Sequence, residues 1–161
     1  MEATLPPPRT PDNNDLVKLC AALNSQGAQY LVVGGMAIIQ QGFLRATEDI
    51  DLLLEASREN QQRVLKALEV LPDKAVLELT ENDLDQYIVV RVADEIIVDL
   101  MLSACGVSYN DAAGETESRE IEGVNIPFAS ARLLLRTKQT LRDKDIPDRI
   151  FLERKLRDSS T

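Results

Sequence analysis

The sequence predicts an α/β fold, a mixed β-sheet flanked by helices and followed by C-terminal helices. Two observations carry this prediction. Short apolar runs bounded by Gly, Asn and Asp, such as Tyr30–Val33 and Ile50–Leu54, read as buried strands. Segments with helical apolar spacing precede and separate them. The resulting order of helix, strand, helix, strand, helix, several strands and finally helices indicates an α/β fold on a mixed sheet.

The elements follow in order. Pro6, Pro7, Pro8 and Pro11 exclude a helix from residues 1–11, which are expected to form a flexible arm. Residues 12–161 contain no interior linker and are expected to form one domain. Asp12–Asp15 supply helix caps, Leu16, Leu19, Cys20 and Leu23 share one helical face, and Gly27 is a stop signal. Tyr30–Val33 is a strand ending at Gly34-Gly35, from which a short helix over Met36–Gln41 departs. Ile50–Leu54 is the next strand. Ser57 caps a helix whose Val64, Leu65, Leu68 and Leu71 share a face and which Pro72 ends.

Three extended runs are predicted next, Ala75–Leu79, Tyr87–Val92 and Glu95–Leu102, with turns at Asn82–Asp85 and Asp94. Residues 103–118 are predicted as loop, and Arg119–Phe128 as a hairpin turning at Glu122-Gly123. Ser130 caps a helix to about Thr140, and Asp145 with Pro147 begins the last helix.

Composition narrows the chemistry. The 161 residues include no histidine, which removes imidazole bases, His-ligated zinc and Ser-His-Asp or Cys-His catalysis. Two cysteines cannot build a four-thiolate site unaided; Cys20 and Cys105 are expected to be reduced thiols packed in a core. A net charge of −9 disfavours a protein that wraps duplex DNA through its own field, leaving a local basic patch open. The longest apolar stretch, Leu31–Ile39, is too short for a membrane span, and no secretory signal begins the chain, so a cytoplasmic protein without membrane attachment is expected.

Asp-x-Asp occurs at Asp49/Asp51, Asp83/Asp85 and Asp143/Asp145. With 14 aspartates in the chain, the bare pattern carries little information, so context must separate the three. Asp83 and Asp85 sit in a polar turn. Asp143 and Asp145 sit beside Arg142 and Lys144, where ion pairing and capping suffice. Asp49 and Asp51 alone lead into an apolar strand, where residues two apart point the same way. Asp99 interrupts the apolar run Ile96–Leu102 and needs a partner there. Carboxylates brought together at a buried strand are costly without a cation, and such hard oxygen ligands select Mg²⁺ or Mn²⁺. Gly34-Gly35, between strand and helix, allow a phosphate to approach the backbone closely.

Together, Gly34-Gly35, Asp49-Ile50-Asp51 and Asp99 resemble the hallmark of the nucleotidyltransferase superfamily with the DNA polymerase β-like fold. The form Arg45-x-Thr47-x-Asp49-x-Asp51 looks like the small bacterial branch that contains abortive-infection-type toxin nucleotidyltransferases. Leu135-x-x-Lys138 and Arg142-Asp-Lys-Asp145-x-x-Asp148 are similar to a helical segment of that branch, and the resemblance spans most of residues 15–155. Gly35 stands where many members have serine, which removes one hydroxyl contact to a triphosphate.

The resemblance implies transfer of a nucleoside monophosphate from an NTP to an acceptor hydroxyl, with pyrophosphate released. It implies that Asp49, Asp51 and Asp99 are catalytic and hold Mg²⁺ or Mn²⁺, and that Gly34, Gly35, Arg45, Thr47 and Lys138 contact the nucleotide. Arg45 and Lys138 read equally well as surface charges, and Asp145 and Asp148 as helix caps. A tRNA end, a protein side chain and a small-molecule hydroxyl are all open as acceptors, and an oligomer is possible. RNA would require Arg132, Arg136, Lys138, Arg142 and Lys144 to gather into a basic strip. The alternative is a catalytically inactive relative, a nucleotide- or protein-binding module of regulatory or antitoxin-like type.

Overall fold

The computed structural model describes residues 6–159. Helix α1 (Asn13–Ser25) opens with a capping box in which Asp12 accepts from the Asp15 backbone and Asp15 reciprocates. Its buried face carries Leu16, Leu19, Cys20 and Leu23, the spacing expected, with Val17 added. Gly27, at φ 69°, turns the chain back into strand β1 (Tyr30–Val33), all of whose residues are buried. Helix α2 (Gly34–Gln40) then starts directly at the glycine pair.

Strand β2 (Asp49–Leu54) buries Ile50 and Leu52–Leu54 and leaves Asp49 and Asp51 half-buried, as the strand period requires. Helix α3 (Arg58–Ala67), capped by the Ser57 hydroxyl, relaxes into a 3-10 turn over Leu68–Val70. A short helix α4 (Asp83–Gln86) precedes strands β3 (Val90–Ala93) and β4 (Ile97–Met101). The small strands β5 (Ser103–Ala104) and β6 (Val107–Ser108) pair with each other. Strands β7 (Thr116–Ile121) and β8 (Val124–Ala129) form a hairpin, followed by helices α5 (Ala131–Thr137) and α6 (Ile146–Ser159).

Six strands make one sheet in the order β3-β4-β2-β1-β8-β7. β1 runs antiparallel to β2 and parallel to β8, while β2 and β4 are parallel, so the sheet is mixed as predicted. Helix α1 packs on β8 and α3, and α2 packs on β1 and β2 and against α5. Fully buried Leu23, Ile38, Leu52, Leu100, Phe128 and Leu133 join these layers into one aliphatic core. Burying each such side chain contributes about 1.5–3 kcal/mol, so a core with little aromatic content is sufficient.

Several local expectations are corrected. Ala75–Leu79 is not extended: Ala75–Glu78 is a 3-10 turn. Buried Asp94 accepts from the backbone N–H of both Asp73 and Ala75, and this anchors the turn. The run Tyr87–Val92 pairs only from Val90, which faces Leu100 at the sheet edge; Tyr87, Ile88 and Val89 remain exposed. The turn predicted at residues 82–85 holds α4. The predicted loop 103–118 contains β5, β6, a 3-10 turn over Asn110–Ala112 and the first residues of β7. The helix from Ser130 stops at Thr137, three residues early, because Lys138 turns inward to two carboxylates.

The thiols also differ from expectation: Cys20 is buried, its thiol pushed up to about 12 by desolvation, but Cys105 is exposed. The arm expected over residues 1–11 lies outside the described residues as far as residue 5. Further on it is tied down, since Arg9 donates to Glu95 and forms a two-bond pair with Asp15.

Two glycines make a discriminating pair for stability. Gly34 (φ 66°) and Gly114 (φ 85°) both occupy the left-handed region, but a Cβ on Gly34 would lie 1.9 Å from Asp51 Oδ2, while one on Gly114 meets nothing within 4 Å. Gly114→Ala is predicted to cost about 1 kcal/mol, from backbone strain alone. Gly34→Ala is predicted to cost at least about 3 kcal/mol, since β2 must also shift. Urea unfolding of the two variants checks this; equal losses would show that the contact with Asp51 can yield.

Candidate active site

Strand register builds the site. Asp51 on β2 faces Asp99 on β4 across a parallel ladder, and Asp49 lies one pleat along β2 on the same side. One oxygen from each of Asp49, Asp51 and Asp99 lies within 4.8 Å of the other two. Three hard oxygen donors at that spacing suit a divalent cation. Gly34 fits against Asp51 and Gly35 against Thr47, where a Cβ would lie 2.3 Å from the Thr47 hydroxyl. The glycine pair is therefore demanded by close approach, since any larger side chain would collide with Asp51 or Thr47.

The electrostatics follow from this crowding. Burial first, and then the charges of Asp49 and Asp99, push the Asp51 carboxyl from its ordinary 3.8 up to about 7, with Lys138 opposing them. Asp49 is raised for the same reasons, desolvation first and then Asp99. A protein that ionises these groups together needs positive charge nearby, and two side chains supply it.

The first is Arg91 on edge strand β3, directly opposite Asp99 in the antiparallel ladder. Its Nε and a terminal nitrogen donate to the two oxygens of Asp99, both at 2.9 Å, and that same terminal nitrogen reaches Asp49 Oδ2 at 3.3 Å. Hydrogen bonds to Asp99 hold the guanidinium above its ordinary pKa. Sequence reasoning missed Arg91. The alternation Val90-Arg91-Val92 shows that the cation leaves the core face, but only the register of β3 on β4 sets it against Asp99.

The second is Lys138, which is buried and whose Nζ lies 3.1 Å from Asp145 Oδ1 and 3.2 Å from Asp148 Oδ2. Asp148 also pairs with Arg45, accepting from a terminal nitrogen at 3.0 Å; Arg45 Nε is 2.9 Å from the other oxygen but misaligned for a hydrogen bond. Asp145 accepts from Lys138, Thr140 and Arg142. Burial works against its charge, but hydrogen bonds from Thr140 and Arg142 and the charge of Lys138 hold the carboxyl down to about 2. Asp145 and Asp148 are thus partners of Lys138 and Arg45 rather than the helix caps expected, and Lys138 is not a surface charge. Arg149 donates to the carbonyls of Lys138 and Thr140, fixing the turn that carries them.

These groups share one cleft of about 570 Å³. Asp49, Asp51, Asp99, Gly34, Gly35, Arg45, Thr47 and Lys138 all line it, so every site residue predicted from the sequence is brought to one place. Thr47 spends its hydroxyl on the Asp49 carbonyl, 3.1 Å away. Ile88, Val89 and Met101 form an apolar part of the wall beside β3. The basic strip does not assemble as posed, since Lys138 and Arg142 bind Asp145 and Arg132 pairs with Glu115. Among the described residues, no helix is long and apolar enough to cross a membrane.

A mixed sheet that carries paired aspartates beside a glycine-rich strand–helix junction, with a third acid on the neighbouring parallel strand, defines a nucleotidyltransferase-type protein. The family model of aminoglycoside-2''-adenylyltransferase matches residues 15–149, and the chain belongs to that family. This agrees with the superfamily that the motif resembles. Two solved structures share the fold. TM1012 of Thermotoga maritima, assigned as a nucleotidyltransferase, is 16% identical with a TM-score of 0.55, covering 90% of this chain and 92% of that one. The lincosamide antibiotic adenylyltransferase LnuA, in a lincomycin-bound structure, is 15% identical with a TM-score of 0.59, covering 90% and 98%. No curated protein sequence matches the chain.

The raised Asp51 has a consequence for stability. Its folded pKa of about 7 lies above the unfolded 3.8, so the protonated carboxyl favours folding most below pH 3.8. That contribution is lost as pH rises through 7. Metal-free protein in chelator is therefore predicted to melt at progressively lower temperature from pH 4 to pH 8. Asp51→Asn should flatten most of this slope and leave the part owed to Asp49. A melting temperature that rises over this interval would contradict the buried-acid description. Asp15 and Asp145, both held down to about 2, add stability as pH rises from there through the unfolded 3.8, so most of their gain is complete at the start of the interval.

Proposed function

We propose that this protein moves a nucleoside monophosphate from an NTP to the hydroxyl of a small-molecule acceptor, with Mg²⁺ or Mn²⁺ held by Asp49, Asp51 and Asp99. The observation that carries the proposal is the triad itself, three carboxylate oxygens within 4.8 Å of one another on the wall of a cleft. The donor set fits the ion. Asp49 and Asp51, whose pKa values burial raises, gain from a divalent cation, and all three acids offer hard oxygen. When bound, the ion neutralises triphosphate charge and polarises the α-phosphorus.

The chain's own residues supply the rest. Gly34 and Gly35, at the strand–helix junction, let Asp51 and Thr47 pack against the backbone and offer phosphate the N–H groups beside them. Lys138, braced by Asp145 and Asp148, and Arg45, braced by Asp148, set positive charge in the same cleft for phosphate oxygens. Thr47 supports the Asp49 backbone next to them. The acceptor oxygen attacks the α-phosphorus, the bond to the pyrophosphate oxygen breaks, and Asp99 takes the hydroxyl proton. No histidine is needed, since placement and charge neutralisation dominate this chemistry.

A small acceptor is favoured by the size of the cleft and by the apolar surface of Ile88, Val89 and Met101 next to Asp99. The family description and the lincomycin bound to LnuA point the same way. A large RNA is disfavoured by the −9 charge and by the pairing of Arg132, Lys138 and Arg142 to acids.

The test incubates full-length protein with each of the four NTPs, Mg²⁺ or Mn²⁺, and panels of aminoglycosides, lincosamides and other hydroxylated small molecules, with tRNA and protein as comparison acceptors. Pyrophosphate release and labelled product should appear with a small molecule, require the metal, and fall at least about 1,000-fold in Asp49→Asn/Asp51→Asn. Metal-dependent NTP binding unchanged in that double variant would overturn the site. NTP binding without product under any metal or acceptor would instead identify a non-catalytic binding module.

A further inference from the structure

Arg91 is the one cation in the cleft whose partners are the site acids themselves. Lys138 and Arg45 are each anchored by carboxylates outside the triad. Among the described residues, the Arg91 guanidinium bonds only to Asp99 and Asp49. Its fork covers both oxygens of Asp99, one of which a divalent ion in the triad would use, and touches Asp49 Oδ2. The two sides of the pair also differ in freedom. The Asp99 side chain is 7% exposed and fixed on a central strand, while that of Arg91 is 56% exposed on an edge strand. Rotation of the arginine side chain alone therefore frees Asp99 without disturbing the core.

We propose that Arg91 is a built-in counter-cation that competes with the divalent ion for Asp99 and Asp49 and yields when metal arrives with a triphosphate. This rests on the nucleotidyltransferase reading and adds to it a positioning residue that couples metal loading to nucleotide. With Arg91 engaged, the charge of the acids is partly offset and both oxygens of Asp99 are committed to charge-assisted hydrogen bonds. A free metal ion must displace the fork to ligate fully. A nucleotide-borne ion brings phosphate oxygens, and these offer the guanidinium a bidentate partner of the kind it favours. The exchange conserves charge pairing at every stage. A purely structural cross-strand pair, by contrast, would stabilise β3 on β4 and leave metal affinity unaltered.

Manganese binding distinguishes the two. Free Mn²⁺ is measured by electron paramagnetic resonance over full-length wild type, Arg91→Gln, Arg91→Lys and Asp49→Asn/Asp51→Asn, without nucleotide, with circular dichroism as the check on folding. Arg91→Gln should bind Mn²⁺ at least about tenfold more tightly than wild type, equivalent to about 1.4 kcal/mol. Arg91→Lys, which keeps the charge and loses the fork, should fall between them, and is decisive on its own if Arg91→Gln does not fold. A non-hydrolysable NTP should narrow the gap by giving wild-type Arg91 its phosphate partner. Affinity in the arginine variants equal to or below wild type, with binding still lost in the double aspartate variant, would overturn the role of Arg91 and leave the metal site standing. No Mn²⁺ binding in any folded form would overturn both.

Discussion

Three carboxylates forced together by strand register are the constraint on which the rest of the molecule depends. Asp51 and Asp99 are direct neighbours across a parallel ladder, and neither can move away without breaking the pairing of two buried strands. Their repulsion is only partly relieved by solvent, because the apolar core lies immediately behind them. The structure answers with cations on two sides: an arginine from the next strand and a lysine from the chain's C-terminal third. The glycine junction is a steric answer to the same crowding, since Asp51 occupies the volume that a side chain at position 34 would need.

That lysine explains how the C-terminal third is held. Lys138 enters the cleft only because α5 ends at Thr137, and its desolvated charge is matched by Asp145 and Asp148 at the start of α6. A buried pair of this type is weak evidence for stability, because desolvation offsets most of the attraction. Removing one member is a different matter, since the other charges would be stranded. The network is therefore better understood as fixing where Lys138 and Arg45 present their charge than as a source of folding energy.

The acidic excess gains a specific meaning from this arrangement. Most of the 27 acidic residues are solvated, but Asp49, Asp51, Asp99, Asp145 and Asp148 occupy positions where each must be paired, protonated or bound to a cation. Phosphoryl transfer suits a chain without histidine because the groups it requires are oxygen ligands and fixed positive charges. All are present in one cleft.

Local pattern alone determined much of this. The aliphatic run after Asp49 carried its own period, so Ile50 had to face inward and the two aspartates outward, and Asp99 was conspicuous as the one acid in an apolar strand. Helices α1 and α3, the hairpin at Glu122-Gly123 and the glycine junction were likewise set by spacing and turn chemistry. What sequence spacing cannot encode is which strand lies beside which. The partnership of Arg91 with Asp99 depends on the β3·β4 register, and the inward turn of Lys138 depends on carboxylates seven and ten residues further on meeting it in space. The misassigned segments have the same origin: Ala75–Glu78 is coiled by a carboxylate from Asp94, and Tyr87–Val89 bend at Ile88 outside the β3·β4 ladder. Periodicity reports the face a residue turns to the core; tertiary structure alone decides which charge it meets on the other side.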